Sequence, residues 1–482
     1  MSFGILAFGA YLPRLRLDRR VVAEAHGWFN GALRGLARGE RTIANWDEDP
    51  VTMAVEAARD ALGAHDRTDV ARLRFVSTTA PFLDRLNAAV VSEALSLPAD
   101  VNAADASGSQ RAATSTLRDA LELSAATLVV AAEKRPSLAA SPAEMTSGDG
   151  AAAVLVGQGE PVARLVASAT RTADFVDHYR TLGQQTDYQW EERWIRDAGY
   201  AAVVPEVVKA ALAEAAVKPQ EVSRFILPSV VPRVGAAMAK ACGVPEAAVA
   251  DTLMAQCGDT GVAHPLLLLV KALEEAQPGD RIVVVGFGQG ADALVFEATD
   301  AIAGVQRGLG VSGHLARRRL ESNYSKFLSF NDTIALERGM RAEADKMTAL
   351  SALWRNRDAV TRFIGGRCTA CGTRQFPRTR ICVNPDCNAV DTQENEPFAD
   401  KLGTVNSYTA DRLTYSPDPP ACYGMIQFAD GGRWMMDFTD VDEADLAVGQ
   451  NMRMMFRVKD YDPQRGFRRY FWKAAPGAGG RT

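Results

Sequence analysis

Apolar positions recur along the first 300 residues in two successive series of the same order. The first series has a helical period in MAVEAARDALGA (residues 53–64), a strand-like run in DVARLRFVSTT (69–79) and a helix in NAAVVSEALSL (87–97). A short strand, VNAADA (101–106), a helix, QRAATSTLRDALEL (110–123), and two strands, TLVVAAE (127–133) and GAAAVLVG (150–157), complete it. The second runs through helix VPEVVKAALAEAAV (204–217), EVSRFILPSV (221–230), helix VGAAMAKACGV (234–244), the turn AQCGDTG (255–261), helix AHPLLLLVKALEEA (263–276) and strands RIVVVGFG (281–288) and ADALVFEAT (291–299). The helices place apolar residues at i, i+3 and i+4, whereas IVVV and LVVA are short continuous runs of the kind carried by strands buried on both faces. One β/α unit is therefore present twice. The fold class predicted is α/β, a duplicated layered fold with helices between and outside two mixed sheets. In such a pseudo-twofold pair the loops entering the two central helices face each other. They are ASGSQ (106–110) and CGDTG (257–261), and their junction is the expected active site.

Beyond residue 302 the pattern changes. Residues 303–363 are charged and mostly of helical period, which reads as a connector. GGRCTACGTRQFPRTRICVNPDCNA then carries a CxxC knuckle, Cys368 and Cys371, and a second pair, Cys382 and Cys387. Four thiolates in two such pairs match a tetrahedral zinc site with no open position for water, hence a structural one. The competing reading is four free thiols that happen to cluster, in a loop-rich segment that would fold poorly without metal. After it, TVNSYTADRLTY, CYGMIQFADGG, RWMMDFTDV, NMRMMFRVKD and FRRYFWKAA read as five short strands, the number of a small OB-type barrel. The organisation expected is a duplicated core in halves 1–165 and 166–302, a connector 303–363, a zinc ribbon 364–402 and an OB fold 403–476.

Composition narrows the classes. At 482 residues, with 47% hydrophobic and 23% charged residues, the chain has the length for several globular domains. A net charge of -5 gives no electrostatic reason to expect nucleic acid, although five arginines fall between Arg453 and Arg469. No run of about 18 apolar residues and no signal-peptide pattern at the start point to a membrane or to export, so a cytoplasmic protein is expected. Four of seven cysteines lie within 368–387, which fits metal in a reducing compartment better than a disulfide framework.

The segments GILAFGAYLPRLRL, WDEDPVTMAVEAARDAL, EMTSGDGAAAVLVG, WIRDAGY and GDRIVVVGFGQGADALVFEAT, in that set and at those separations, resemble the 3-hydroxy-3-methylglutaryl-CoA synthase family of the thiolase superfamily. The resemblance runs from the start to about residue 300. It implies a Cys nucleophile at the start of the first central helix, a Glu general acid and a His in the second half. Here the nucleophile position holds Gln110, the Glu position falls on Thr78 or Thr79, and the His position falls near Pro228 or Ser229. An Asn that follows Gly in the second loop is Asp259. A Cys at a helix start gains thiolate character from the macrodipole; a Gln amide only donates and accepts hydrogen bonds. Ser109, one residue earlier, lacks a base. The resemblance also implies a homodimer through the thiolase-like domain. The ribbon and barrel resemble rubredoxin-like OB-fold proteins that partner thiolases, often as separate subunits, and this leaves room for partner enzyme subunits.

Three readings follow. In the favoured one the chain takes an acyl-CoA thioester, with coenzyme A as part of the substrate, and makes or breaks a carbon–carbon bond by aldol or retro-aldol chemistry without an acyl-enzyme. Asp259 is then the base, Gln110 and the amides at its helix start are donors to the thioester enolate, and His264 and Tyr200 are next for proton transfer. Each has a plainer reading: Asp259 capping the following helix, Tyr200 a core residue, His264 a first-turn residue, Thr78 and Thr79 the end of a strand. The second reading is acyl transfer or Claisen condensation, or decarboxylation as in ketosynthase-like domains with Gln in the Cys position. The third is a scaffold for a partner enzyme. In the barrel, Arg468 and Arg469 are candidate CoA-phosphate contacts. Base stacking on Tyr470, Phe471 and Trp472 is the minor alternative, and nucleic acid is not expected.

Overall fold

The computed structural model describes residues 2–123, 125–305, 308–343 and 347–477. The chain divides into two units: residues up to Asn45 with Asp49–Asn331, and Trp46–Glu48 with residues from Asp332 onward.

The first unit is built on nine strands: β1 (Ser2–Tyr11), β2 (Arg72–Val76), β3 (Asn102–Ala106), β4 (Thr127–Glu133), β5 (Gly150–Gly159), β6 (Ala163–Thr172), β7 (Arg224–Ile226), β8 (Arg281–Phe287) and β9 (Gly290–Ala298). Their spatial order is β7-β8-β9-β6-β1-β5-β4-β2-β3. The two sheets anticipated from the sequence are one continuous sheet, joined between β1 and β6 by a single register pair, Ile5 with Ala163. The duplication is visible in the pairing. In one half β2 runs parallel to β4, and β4, β5 and β1 follow antiparallel; in the other β7 runs parallel to β8, and β8, β9 and β6 follow antiparallel. The counterpart of β3 in the second half is reduced to one bridge, Phe225 with Val249.

Six helices matter for the site: α1 (Pro50–Leu62), α2 (Asn87–Ala94), α3 (Ala112–Glu122), α4 (Ala201–Glu214), α5 (Val234–Cys242) and α6 (His264–Glu275). Helix α1 starts because Asp49 and Thr52 form a reciprocal capping box with Pro50 at the first position, and it stops at Gly63, whose φ is 48°. Strand alternation assigns the faces. Ile282, Val284, Leu294 and Phe296 share a core with the central helices α3 and α6, while Val283, Val285, Ala293 and Val295 share another with α4 and α5. Both faces of β8 and β9 are thus buried, as their continuous apolar runs require. No described helix is long and apolar enough to cross a membrane.

The second unit has a small three-stranded sheet, β10 (Ile364–Cys368), β11 (Arg374–Gln375) and β12 (Gln393–Pro397), and a five-stranded one, β13 (Gly403–Asp411), β14 (Ala421–Phe428), β15 (Arg433–Asp437), β16 (Asn451–Asp462) and β17 (Phe467–Pro476). The larger sheet is ordered β15-β14-β13-β16-β17, and the bridge between Phe438 and Ala474 brings its ends together as in a closed barrel. Tyr470 and Trp472 are buried, with Trp472 stacked on Phe363 and edge-on to Phe456, so two of the three aromatics considered for base stacking are core. Asp47 accepts from Lys473 at 2.8 Å and Glu48 pairs with Arg457 at 3.1 Å within this unit.

Candidate active site

Gln110 ends the loop that leads into α3. That loop is tied at several points: the Ser109 hydroxyl donates to the Gly288 carbonyl at 2.8 Å, and Arg111 Nε donates to the same oxygen at 3.0 Å. Arg111 Nη1 also reaches Asp292 at 2.8 Å. The buried Asp292 carboxylate further accepts from the hydroxyls of Thr114, Ser115 and Thr170. With its loop held this way, Gln110 lines a cavity of about 400 Å³ in the first unit. Its Oε1 is buried without a hydrogen-bond partner among the described residues, and its Nε2 is 3.5 Å from the Thr78 hydroxyl, the long end of the range.

Asp259 and Tyr200 line the same cavity, together with Pro228 and Ser229. Asp259 Oδ1 accepts from the Gly261 amide at 2.9 Å, so one oxygen serves the turn before α6. Tyr200 ends a π-helical turn, Ile195–Tyr200, a geometry frequent at functional sites. Its ring stacks on Phe287 with centroids 4.0 Å apart. Burial pushes the Tyr200 phenol far above its ordinary value, Asp177 and Asp259 add to this and Ser229 opposes it, so the group remains a donor.

His264 is elsewhere. It is fully buried, its Nε2 donates to the Thr252 carbonyl at 2.9 Å, and its Nδ1 accepts from the Thr260 amide at 3.1 Å. Burial lowers its pKa, and it does not line the cavity. Both nitrogens are spent on the turn that presents Asp259, so the sequence expectation of a proton carrier here is replaced by a structural pin.

Several groups escaped the sequence reading. Glu133, the last residue of β4, is fully buried and takes the Thr78 hydroxyl at 3.0 Å and the Thr79 hydroxyl on its other oxygen. Thr78 and Thr79 therefore hold a carboxylate delivered by the neighbouring strand. Burial raises the Glu133 pKa, with Arg135 and the threonines opposing. Arg135 lines the cavity and pairs with Asp187, which Arg180 also contacts at 2.9 Å. Burial works against the Arg135 charge, but Asp187, Glu133 and Asp259 hold it firmly cationic. Gly261, with φ +58°, fits where a Cβ would stand 2.9 Å from Arg135, 2.9 Å from Glu133 and 3.1 Å from Gln110 Oε1. Asp177 and His178 also face the cavity. The signals for these residues were a charge closing a fully buried strand (VVAAEK) and an Asp-His pair in a segment without period.

In the second unit the Sγ atoms of Cys368, Cys371, Cys382 and Cys387 lie within 4.8 Å of one another, with 3.6 Å between Cys371 and Cys382 and 3.9 Å between Cys368 and Cys387. Zn–S bonds of ~2.3 Å in a tetrahedron place sulfurs ~3.8 Å apart, so the donor set fits zinc. Arg469 is paired with Asp460, and the Arg468 guanidinium lies 5.3 Å from the Tyr461 ring centroid.

Residues 212–297 match the family described as 3-oxoacyl-(acyl-carrier-protein) synthase III, C terminal. Residues 358–391 match the rubredoxin-like zinc ribbon domain of ChsH2, and 398–457 its C-terminal OB-fold domain. A hydroxymethylglutaryl-CoA synthase of Aeropyrum pernix is 29% identical over 349 residues, covering 70% of this chain and 96% of that protein. One of Caldivirga maquilingensis is 28% identical over 352 residues, covering 70% and 100%. A solved structure of an HMG-CoA synthase complexed with CoA superposes with a TM-score of 0.60 at 19% identity, over 72% of this chain and 95% of that one, a likeness of fold. The duplicated sheet and its two central helices are thus similar in fold to that synthase. Over about 70% of its length the chain is similar to hydroxymethylglutaryl-CoA synthases, and two further stretches match the ChsH2 zinc ribbon and OB-fold domains.

Proposed function

We propose that the protein acts on acyl-CoA thioesters and makes or breaks a carbon–carbon bond by aldol or retro-aldol chemistry, without a covalent acyl-enzyme. The observation that carries this is the amide of Gln110 at the start of α3, in one cavity with the carboxylate of Asp259 and the phenol of Tyr200. A Gln side chain cannot form a thioester, whereas a donor at a helix start suits the negative charge that develops on a thioester enolate oxygen. The adjacent hydroxyl does not substitute, since Ser109 is bonded to the Gly288 carbonyl.

In a 3-hydroxyacyl-CoA, Asp259 takes the hydroxyl proton as the Cα–Cβ bond breaks. Gln110 and the α3 amides receive the enolate oxygen, and Tyr200 adds a neutral donor. Arg135 and Asp187 form part of the cavity wall in this reading and take no proton. The four cysteines hold structural zinc in this reading, and Arg468 and Arg469 are its candidates for contact with CoA phosphate. The related synthases and the CoA complex among similar folds support the substrate class. A homodimer through the thiolase-fold domain belongs to the same proposal, checked by light scattering.

The test is incubation with 3-hydroxyacyl- and 3-oxoacyl-CoA thioesters, followed by mass spectrometry of small products and intact protein. The expected result is a shorter acyl-CoA with a released aldehyde or ketone and no protein adduct. An acyl adduct would place the chain with the covalent condensing enzymes, and absence of product and adduct would favour a scaffold.

A further inference from the structure

His178 is the one histidine of five that lines the cavity. His26 is engaged by Tyr324 and Glu144, His264 has both nitrogens occupied, His314 is buried against Tyr11 and accepts from Arg317, and His65 is exposed on the surface. His178 Nδ1 is 2.9 Å from Asp177 Oδ2, and the other Asp177 oxygen accepts from Gln289 Nε2 at 2.9 Å. A carboxylate fixed from behind orients an imidazole and sets its tautomer, with the Nδ1 proton on the carboxylate side. Nε2 has no partner among the described residues.

The mount is rigid. His178–Tyr179 pairs with Tyr188–Gln189 as a two-residue hairpin ladder. The Trp190 amide donates to the Asp177 carbonyl at 2.9 Å, and Asp187, at the hairpin's far strand, is gripped by Arg135 and Arg180. The titratable and charged groups around the imidazole are therefore Asp177, Asp187, Arg135 and Arg180, with Asp259 and Tyr200 in the same cavity.

We infer that His178, positioned by Asp177, is the acid–base group for the α-carbon of the thioester, while Asp259 serves the hydroxyl oxygen; this rests on the carbon–carbon reading given above. In cleavage, the hydroxyl proton passes to Asp259, the Cα–Cβ electron pair becomes the enolate double bond, and the carbonyl fragment leaves. The imidazolium of His178 then donates its proton to Cα, giving the shorter acyl-CoA. One proton is taken up and one is delivered, and exchange with water resets both groups. In condensation the neutral imidazole removes the Cα proton.

The half-reaction isolates this role. Acetyl-CoA and propionyl-CoA incubated with the full-length protein in D2O are expected to exchange their α-protons, followed by NMR. His178→Ala is expected to lower exchange at least about 100-fold, within the range of general acid–base contributions, with CoA binding retained by calorimetry. Added imidazole is expected to restore part of the rate, which a folding defect would not allow, and His65→Ala serves as the surface control. Asp177→Asn is expected to lose less than His178→Ala, as befits a positioning residue. Native cleavage with exchange undiminished in His178→Ala would overturn the assignment alone. A native protein inert in both cleavage and exchange would overturn the assignment together with the function on which it rests.

Discussion

Glu133 concentrates the physical tension of the site. Its carboxylate is fully buried, satisfied by two threonine hydroxyls and attracted by Arg135, yet burial dominates and raises its pKa. An acid whose folded pKa exceeds its unfolded value, about 4.3 for Glu, contributes stability that is fully present below that unfolded value. The contribution is lost as pH rises through the folded one. Glu133→Gln keeps an acceptor for the threonines and removes the charge, so its melting temperature relative to the native protein is expected to rise between pH 4.5 and 8 in thermal scans. A relative fall over that window would mean that attraction to Arg135 outweighs the cost of burial. At this scale, three of the residues singled out from the sequence, Gln110, Asp259 and Tyr200, line one cavity. His264 was misjudged because a first-turn histidine can satisfy both nitrogens within its own turn. His178 was passed over because its hairpin strands are two residues long and leave no period to read.

Among the elements, α3 depends on a partner from the other half of the duplication. Asp292 of β9 gathers Arg111, Thr114, Ser115 and Thr170, and so ties the start of α3 to β9 and β6 in the second half of the sheet. Removing one member of a buried pair leaves the other charge uncompensated, at a cost of about 3–5 kcal/mol. Asp292→Ala is expected to lose stability on that scale in urea unfolding, and Asp292→Asn less, since the amide still accepts. A loss below about 1 kcal/mol would show that Arg111's bonds to Gly288, Thr170 and Thr172 suffice. Strands β4, β5, β8 and β9 were readable because they are buried on both faces and their runs are therefore almost uniformly apolar. What periodicity could not convey was the seam. Ile5 and Ala163 join the halves through one register pair, and nothing in the alternation of either strand distinguishes that from two separate sheets.

For the molecule as a whole, the ribbon is where folding rests on something other than apolar burial. Its strands are short, β11 only two residues, and Ile381, Val383 and Val390 are exposed rather than packed. Chain entropy of about 1–2 kcal/mol per ordered residue finds little return there from hydrophobic contact. Four sulfurs within 4.8 Å offer one, since zinc in small cysteine-rich domains contributes about 10–16 kcal/mol of apparent binding energy. Metal analysis of protein prepared without chelators is expected to give one zinc per chain. Thiol counting makes the expectation sharper. None of the seven cysteines is disulfide-bonded, and Cys242 and Cys257 are buried in the first unit, with burial pushing the Cys257 thiol up to about 12. Chelation under native conditions is therefore expected to expose four additional reactive thiols, those of Cys368, Cys371, Cys382 and Cys387, with release of one metal ion. Cys371→Ser is expected to lower zinc retention without altering the reactivity of Cys242 or Cys257. Full thiol reactivity before chelation, or a stoichiometry well below one, would mean that the sulfurs cluster without holding a metal.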